Sequence, residues 1–189
     1  MPENFNELIT YGKRFSGLTP ELERCLKDIA PAIIPHLNQV TDNFYAQLAT
    51  VPNTANYLKG RVDHLKATHL QWLSSLFINN IDVEFAKTMY RVGDIHVKVN
   101  LPIEFMSASM TLLNNQFIEL ITELFADQPK KCAQALQAIN AVTGFSLMIM
   151  LMIMQQSYKE SAIAAELEKF LTISGMSRML FSNLAKAYG

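Results

Sequence analysis

The chain has 189 residues, half of them hydrophobic and only 17% charged, with a formal net charge of −1. This length suits one domain with a full hydrophobic core, the composition argues against disorder, and the lack of a basic run argues against nucleic-acid binding. Cys25 and Cys132 form no paired motif, which indicates neither a disulfide framework nor a thiolate metal site and is typical of a reducing cytoplasm.

The N-terminal segment lacks the basic and apolar regions of a signal peptide. The most apolar stretch, Ala141 to Met154, spans about 14 residues, fewer than the roughly 20 needed to cross a bilayer. We therefore predict a buried helix of a cytoplasmic protein, without a membrane span.

Caps and prolines divide the first part of the chain into helices. Residues 1–18 carry a weak apolar pattern that predicts a short helix covering the core. Thr19, followed by a proline, predicts the start of a helix that ends near Ala30. Further helices are predicted over about 32–50 and about 54–77.

The second part of the chain is predicted to be helical as well. Asp82 is a candidate cap for the next helix, and Pro102 opens a helix with the strongest apolar periodicity in the sequence. Another helix is predicted to run to about Tyr158, followed by a charged helix and a shorter piece over 159–189. No alternation typical of strands occurs, so the predicted fold class is all-α with six or seven helices.

One histidine lies on an otherwise apolar helical face. Spacings of four and three residues place five side chains on this face: Phe85, Met89, Val92, His96 and Val99. A histidine in such a position either finds a hydrogen-bond acceptor inside the core or is itself a ligand to something buried. The stripe alone leaves both interpretations open.

Four segments occur in a characteristic order along the chain. They are Asp42-Asn43-Phe44-Tyr45, then Leu65-x-x-Thr68 followed by Trp72, then Val92-Gly93-x-x-His96 followed by an aliphatic run, and finally a long pair of C-terminal helices. In this order and at these spacings they resemble the sensor globins, which are the globin domains of globin-coupled sensors, and the related protoglobins. The resemblance covers roughly residues 15–158.

The resemblance implies a globin-like fold with a haem pocket over residues 1–158, followed by a helical linker or tail over 159–189. The cofactor would be haem b, with His96 as the proximal ligand to the iron. By the same resemblance, the residues that contact the cofactor would be Phe44, Tyr45, Leu65, Thr68, Met89, Val92 and His96.

Three of these residues would form the distal, gas-binding side. Tyr45 would donate a hydrogen bond that stabilises bound O2 more than the nearly apolar CO, because O2 draws more negative charge. Leu65 would keep the pocket dry, and Thr68 would hold a water or orient Tyr45. Each also has a structural interpretation: an amphipathic core tyrosine, a core leucine and a helix-surface threonine.

The other histidines are alternatives. His64 and His69 are five residues apart, so they do not form a metal pair on one helix face. His69 lies on the apolar stripe of its helix and is a candidate sixth ligand to the haem iron. The family pattern instead places Leu65 and Thr68 over the iron, and His36 is interpreted as structural.

The last two long helices predict a homodimer. The segment from Leu147 to Met154 is apolar on nearly all sides, and one protomer covers only part of such a surface. Two copies would pack these helices into a four-helix bundle around a twofold axis.

The predicted function is a haem-based sensor that binds O2 reversibly, with CO and NO as further ligands, and signals through its dimer interface. Residues 159–189 are too few for an output enzyme domain, so the chain is either a sensor module without its output domain or a stand-alone sensor globin, and the output domain or partner protein is unknown. Two alternatives remain: a haem enzyme with NO dioxygenase or peroxidase-like activity, and a cofactor-free helical dimerisation module. We predict that the protein is not an enzyme, because the sequence shows neither a reductase nor an evident distal acid–base pair such as His with Arg.

Overall fold

The computed structural model describes residues 4–174, 177–179, 182–183 and 186, and these ranges contain helices and no strand. The all-α fold class is therefore confirmed, with more helices than the six or seven predicted. The α-helices are α1 (Phe5–Ser16), α2 (Pro20–Ile33), α3 (Leu37–Ala49), α4 (Ala55–Leu58), α5 (Val62–Ile78), α6 (Val83–Lys98), α7 (Ile103–Leu124) and α8 (Pro129–Ser174), with 3-10 turns at Ile34–His36 and Pro52–Thr54.

The predicted helix starts are largely confirmed by their capping hydrogen bonds. The Thr19 side chain accepts a hydrogen bond from the backbone N–H of Leu22 at the start of α2. Asp82 accepts from the backbone N–H groups of Glu84 and Phe85 at the start of α6. Pro102 differs slightly, because it lies at the cap position just before α7 and not inside its first turn.

Two predicted helices have different boundaries. The helix predicted to end near Ala30 continues through the exposed Pro31 to Ile33. The helix predicted over 54–77 is divided into α4 and α5 by Gly60, whose φ of 71° lies in the left-handed region. Glycine adopts this conformation without steric cost, and the left-handed residue interrupts the right-handed helix.

The prediction that the last long helix ends near Tyr158 is wrong. α8 continues without a break to Ser174. The reason is that residues 155–174 are rich in Ala, Glu, Lys and Leu and contain neither glycine nor proline. The shorter helical piece predicted beyond α8 lies largely outside the described residues.

α8 is the central element of the core. It packs against α1, α2, α6 and α7, while α3 packs against α5 and α7. Phe145, Ile149 and Met154 of α8 are fully buried, as is Phe117 of α7. By length and composition α8 would suffice to cross a bilayer, but half of its most apolar 18-residue window is buried against the other helices, which is typical of a core helix.

α6 approaches the backbone of α8 closely at Gly93. A Cβ atom at this position would lie 2.7 Å from the carbonyl oxygen of Met150 and in collision with the Ile153 side chain. Only glycine fits here without displacing one of the two helices. The contact fixes α6 on α8 three residues before His96.

Candidate functional site

His96 lies on α6 with one ring nitrogen already engaged. Its Nδ1 is 2.8 Å from the carbonyl oxygen of Val92, one turn earlier on the same helix. A carbonyl oxygen only accepts, so Nδ1 carries the proton and donates, which leaves Nε2 with a free electron pair. His96 therefore presents a neutral imidazole nitrogen that is suited to bind a metal.

The environment of His96 favours this neutral form. Burial lowers the pKa of His96, and the hydrogen bond with Val92 opposes that shift only in part. A neutral imidazole is the form that ligates a metal, because protonation would consume the electron pair. The same hydrogen bond also orients the ring on the helix.

The neighbouring residue Met89 connects α6 to α5. Met89 is fully buried, and its sulfur accepts a hydrogen bond from Nε1 of Trp72 at 3.2 Å. Val92, also on the predicted stripe, is half-buried. The two helices that carry the candidate ligands are thus held together at one point by a tryptophan and a methionine.

Aromatic side chains surround His69 on α5. Its ring stacks on Phe44 at a centroid distance of 4.6 Å and on Trp72 at 5.5 Å. The Tyr45 ring meets it edge-on at 5.7 Å. The structure therefore brings two predicted pocket residues of α3 onto a histidine that the sequence had offered only as an alternative.

His69 has a buried polar atom without a partner. Its Nδ1 is buried and makes no hydrogen bond within the described part of the chain. Burial lowers the pKa of His69 to about 4, so the ring is neutral at pH 7. An unsatisfied buried nitrogen costs roughly 1–3 kcal/mol, which makes His69 a candidate for binding a group that supplies the missing interaction.

Tyr45 is a buried hydrogen-bond donor. Both Phe44 and Tyr45 are buried, and their rings meet edge-on at a centroid distance of 5.3 Å. Burial raises the pKa of Tyr45 to about 12, so its phenol keeps its proton. The predicted distal donor is thus in the protonated form that its role requires.

The two remaining distal candidates differ in burial. Leu65 is half-buried and packs against the core. Thr68 is exposed, and its hydroxyl donates to the carbonyl oxygens of Leu65 at 3.0 Å and of His64 at 3.2 Å. The Thr68 hydroxyl is therefore used within its own helix in this structure, and His64 is exposed.

Together these residues fit a haem. The porphyrin brings four nitrogen ligands of its own, so the protein has to supply only one or two axial donors and an apolar, aromatic surround. His96 offers a free Nε2 on α6, and the unpartnered His69 on α5 offers a second imidazole among Phe44, Tyr45 and Trp72. The aromatic contacts of His69 come partly from another helix, so they could not be predicted from its own segment.

Comparison with solved structures identifies proteins of similar fold. The chain is similar to the globin domain of a globin-coupled sensor from Geobacter sulfurreducens, with a TM-score of 0.71 and 25% identity, covering 76% of this chain and 95% of that one. Two structures of the globin domain of E. coli DosC, ferric and ferrous, match with a TM-score of 0.63 and 16% identity. They cover 77% of this chain and 99% and 98% of theirs, and at this identity they show the fold alone.

Comparison with curated proteins gave no match. The family model for protoglobins matches residues 5–160, which is most of the chain and includes every candidate site residue. The all-helical architecture agrees with that match. The chain therefore belongs to the protoglobin family.

Proposed function

We propose that this chain is a haem-based gas sensor domain that binds O2 reversibly, and CO and NO as well, with His96 as the proximal ligand. Bound haem b would supply a ferrous iron able to take up diatomic gases. The observation that carries the proposal is the hydrogen bond from His96 Nδ1 to the Val92 carbonyl, which leaves Nε2 free. Membership of the protoglobin family and the similarity to the Geobacter sensor domain support it.

Tyr45 is the proposed hydrogen-bond donor to the gas. Its raised pKa keeps the phenol protonated, and its burial removes competition from bulk water. Phe44 would contact the porphyrin, and the half-buried Leu65 would limit access of water. Thr68 would contribute only if its hydroxyl left the helix carbonyls to which it donates.

His69 is the proposed second axial ligand in the absence of gas. The support is its buried, unpartnered nitrogen, together with a lowered pKa that keeps the ring neutral. His96 and His69 would then both hold the haem iron, and competition from His69 would lower the apparent affinity for gas. Phe44 and Trp72, which stack on the His69 ring, would orient it towards the iron.

A second copy of the chain is the proposed partner. Ile118 of α7 is 50% exposed and Met152 of α8 is 44% exposed, and both lie on the two helices predicted to dimerise. Apolar side chains on adjoining long helices favour a twofold four-helix bundle. The domain would act in the cytoplasm and signal to an output domain or a separate protein.

Absorption spectroscopy of the purified protein tests this function. We expect a haem spectrum, with a six-coordinate low-spin signature in the ferric and ferrous forms and reversible conversion on adding O2 or CO. In His69→Leu the gas-free ferrous form should become five-coordinate and high-spin.

The two alternative functions predict other results. Steady turnover of NO with O2, or of peroxide, would favour a haem enzyme. Failure to take up added haem would leave a cofactor-free helical dimerisation module. A wild-type spectrum identical to that of His69→Leu would remove His69 as a ligand while leaving His96 in place.

A further inference from the structure

The corner that follows α6 is bonded directly to the backbone of His96. The backbone N–H of Leu101 donates to the carbonyl oxygen of His96 at 3.0 Å, and that of Asn100 donates to Val97 at 2.9 Å. Asn100 has a φ of 52°, the left-handed conformation that ends the helix. A movement of His96 along its helix would therefore carry Leu101 with it.

Two tyrosine hydroxyls from different helices donate hydrogen bonds to this corner. Tyr57 of α4 donates to the carbonyl oxygen of Asn100 at 3.1 Å. Tyr158 of α8 donates to the carbonyl oxygen of Leu101 at 2.7 Å, a contact between residues 57 positions apart. The continuous path from His96 through Leu101 thus reaches α8 by two hydrogen bonds.

The same segment of α8 meets α6 at a second point. Gly93 lies against the backbone of Met150 and the side chain of Ile153. The Gly93 contact precedes His96 in the chain, and the Tyr158 hydrogen bond to Leu101 follows it. Beyond Tyr158, α8 continues as an unbroken helix to Ser174, past residue 160 where the family match ends.

We propose that Tyr158 is a positioning residue that ties the end of the His96 helix to α8 and thereby conveys a ligation-dependent shift of α6 to residues 159–173. The inference rests on the proposed haem ligation by His96. At Gly93 the two helices are already too close for α6 to move further towards α8, whereas the Tyr158 hydrogen bond would move with the corner. By thermodynamic linkage, loss of this bond also changes gas binding.

Hydrogen–deuterium exchange on the full haem-loaded chain tests the proposal, with ferrous and CO-saturated samples compared. We expect wild type to show a change in exchange over 159–173 on CO binding, and Tyr158→Phe to lose more than about half of that change. Tyr57→Phe is the matched control, since it removes a hydroxyl that bonds to the same corner but belongs to α4, and it should keep the change. CO dissociation should also be altered in Tyr158→Phe and not in Tyr57→Phe.

Three results would overturn the proposal. The first is no change in exchange over residues 159–173 when wild type binds CO. The second is a change in Tyr158→Phe as large as in wild type. The third is an equal loss of the change in Tyr158→Phe and Tyr57→Phe, which would indicate a general structural role for the corner. If Tyr158→Phe proves unstable, Tyr158→Leu removes the same donor, and a response equal to wild type in that variant would count against the proposal. An intact haem spectrum and reversible CO binding in all these variants would show that the failure concerns Tyr158 and not the proposed function.

Discussion

The Nδ1 atom of His96 lies 2.8 Å from the carbonyl oxygen of Val92, and this single contact decides which nitrogen is available to a metal. Without it, the ring would be free to expose either nitrogen and to rotate on its helix. With it, Nε2 is fixed as the electron-pair donor, and the buried surroundings keep the ring neutral.

The affinity for O2 is expected to depend on the phenol of Tyr45. In Tyr45→Phe, O2 dissociation should be about tenfold faster, because one hydrogen bond to a charged acceptor is worth roughly 1.5 kcal/mol or more. CO dissociation, which depends less on a donor, should change much less. Stopped-flow measurement of both gases provides the comparison, and equal effects on O2 and CO would exclude the donor role.

Stability is expected to fall as the pH drops below neutrality because of His69. Its pKa is about 4 in the folded chain against an ordinary 6.5, so the unfolded chain binds the proton first. The free energy of unfolding begins to fall near pH 6.5, the ordinary pKa of histidine, and the decrease reaches at most about 3 kcal/mol near pH 4. Binding of a metal by His69 would likewise make stability fall with decreasing pH, because metal binding also favours the neutral ring.

Urea unfolding of wild type and His69→Leu at pH 7 and pH 5 measures this effect. The difference between the two pH values should be smaller in His69→Leu. Identical pH dependence in the two proteins would show that His69 is protonated as readily in the folded chain as in the unfolded one.

The α6–α8 contact is expected to tolerate no side chain at residue 93. In Gly93→Ala the new Cβ would meet the Met150 carbonyl oxygen, which is backbone and not free to yield. We expect a loss of about 1–3 kcal/mol in the free energy of unfolding. Gly144→Ala is the matched control, since a Cβ there meets no atom within 4 Å, and it should be neutral or stabilising. Equal stability of the two variants would contradict the close contact.

The proposed dimer is expected to depend on exposed residues of α7 and α8. Ile118→Glu and Met152→Glu place charges on the proposed interface and should shift sedimentation from dimer to monomer with little effect on folding. Ile149 is unsuitable for this test because it is fully buried within the protomer. Sedimentation unchanged in both variants, or a monomeric wild type, would rule out this face.

Much of the fold could be predicted from local chemistry. Thr19 and Asp82 form caps with the backbone immediately after them, and the stripe that carries His96 reflects helical spacing alone. The continuation of α8 was missed because the amphipathic pattern changes near Tyr158, although helix propensity stays high.

The candidate site was less accessible to sequence reasoning. His69 stacks on Phe44 of another helix, and the Tyr158 hydroxyl donates to a carbonyl oxygen 57 residues away in the chain. Neither contact can be predicted from the residues that neighbour His69 or Tyr158 in the sequence. The periodic position of His69 on its apolar stripe was the one signal available. His96, in contrast, bonds within its own helix, and its position on the apolar face of that helix could be predicted from spacing, while its proposed role comes from the family resemblance.

Titration of haem into the wild-type protein, His96→Ala and His64→Ala tests the central claim most directly. His64 is exposed on α5, so its removal controls for the loss of any one imidazole. The account predicts a stoichiometric, intense absorption band for wild type and His64→Ala, and a large loss of haem binding for His96→Ala. Haem bound equally well by His96→Ala, with an unchanged spectrum, would contradict it.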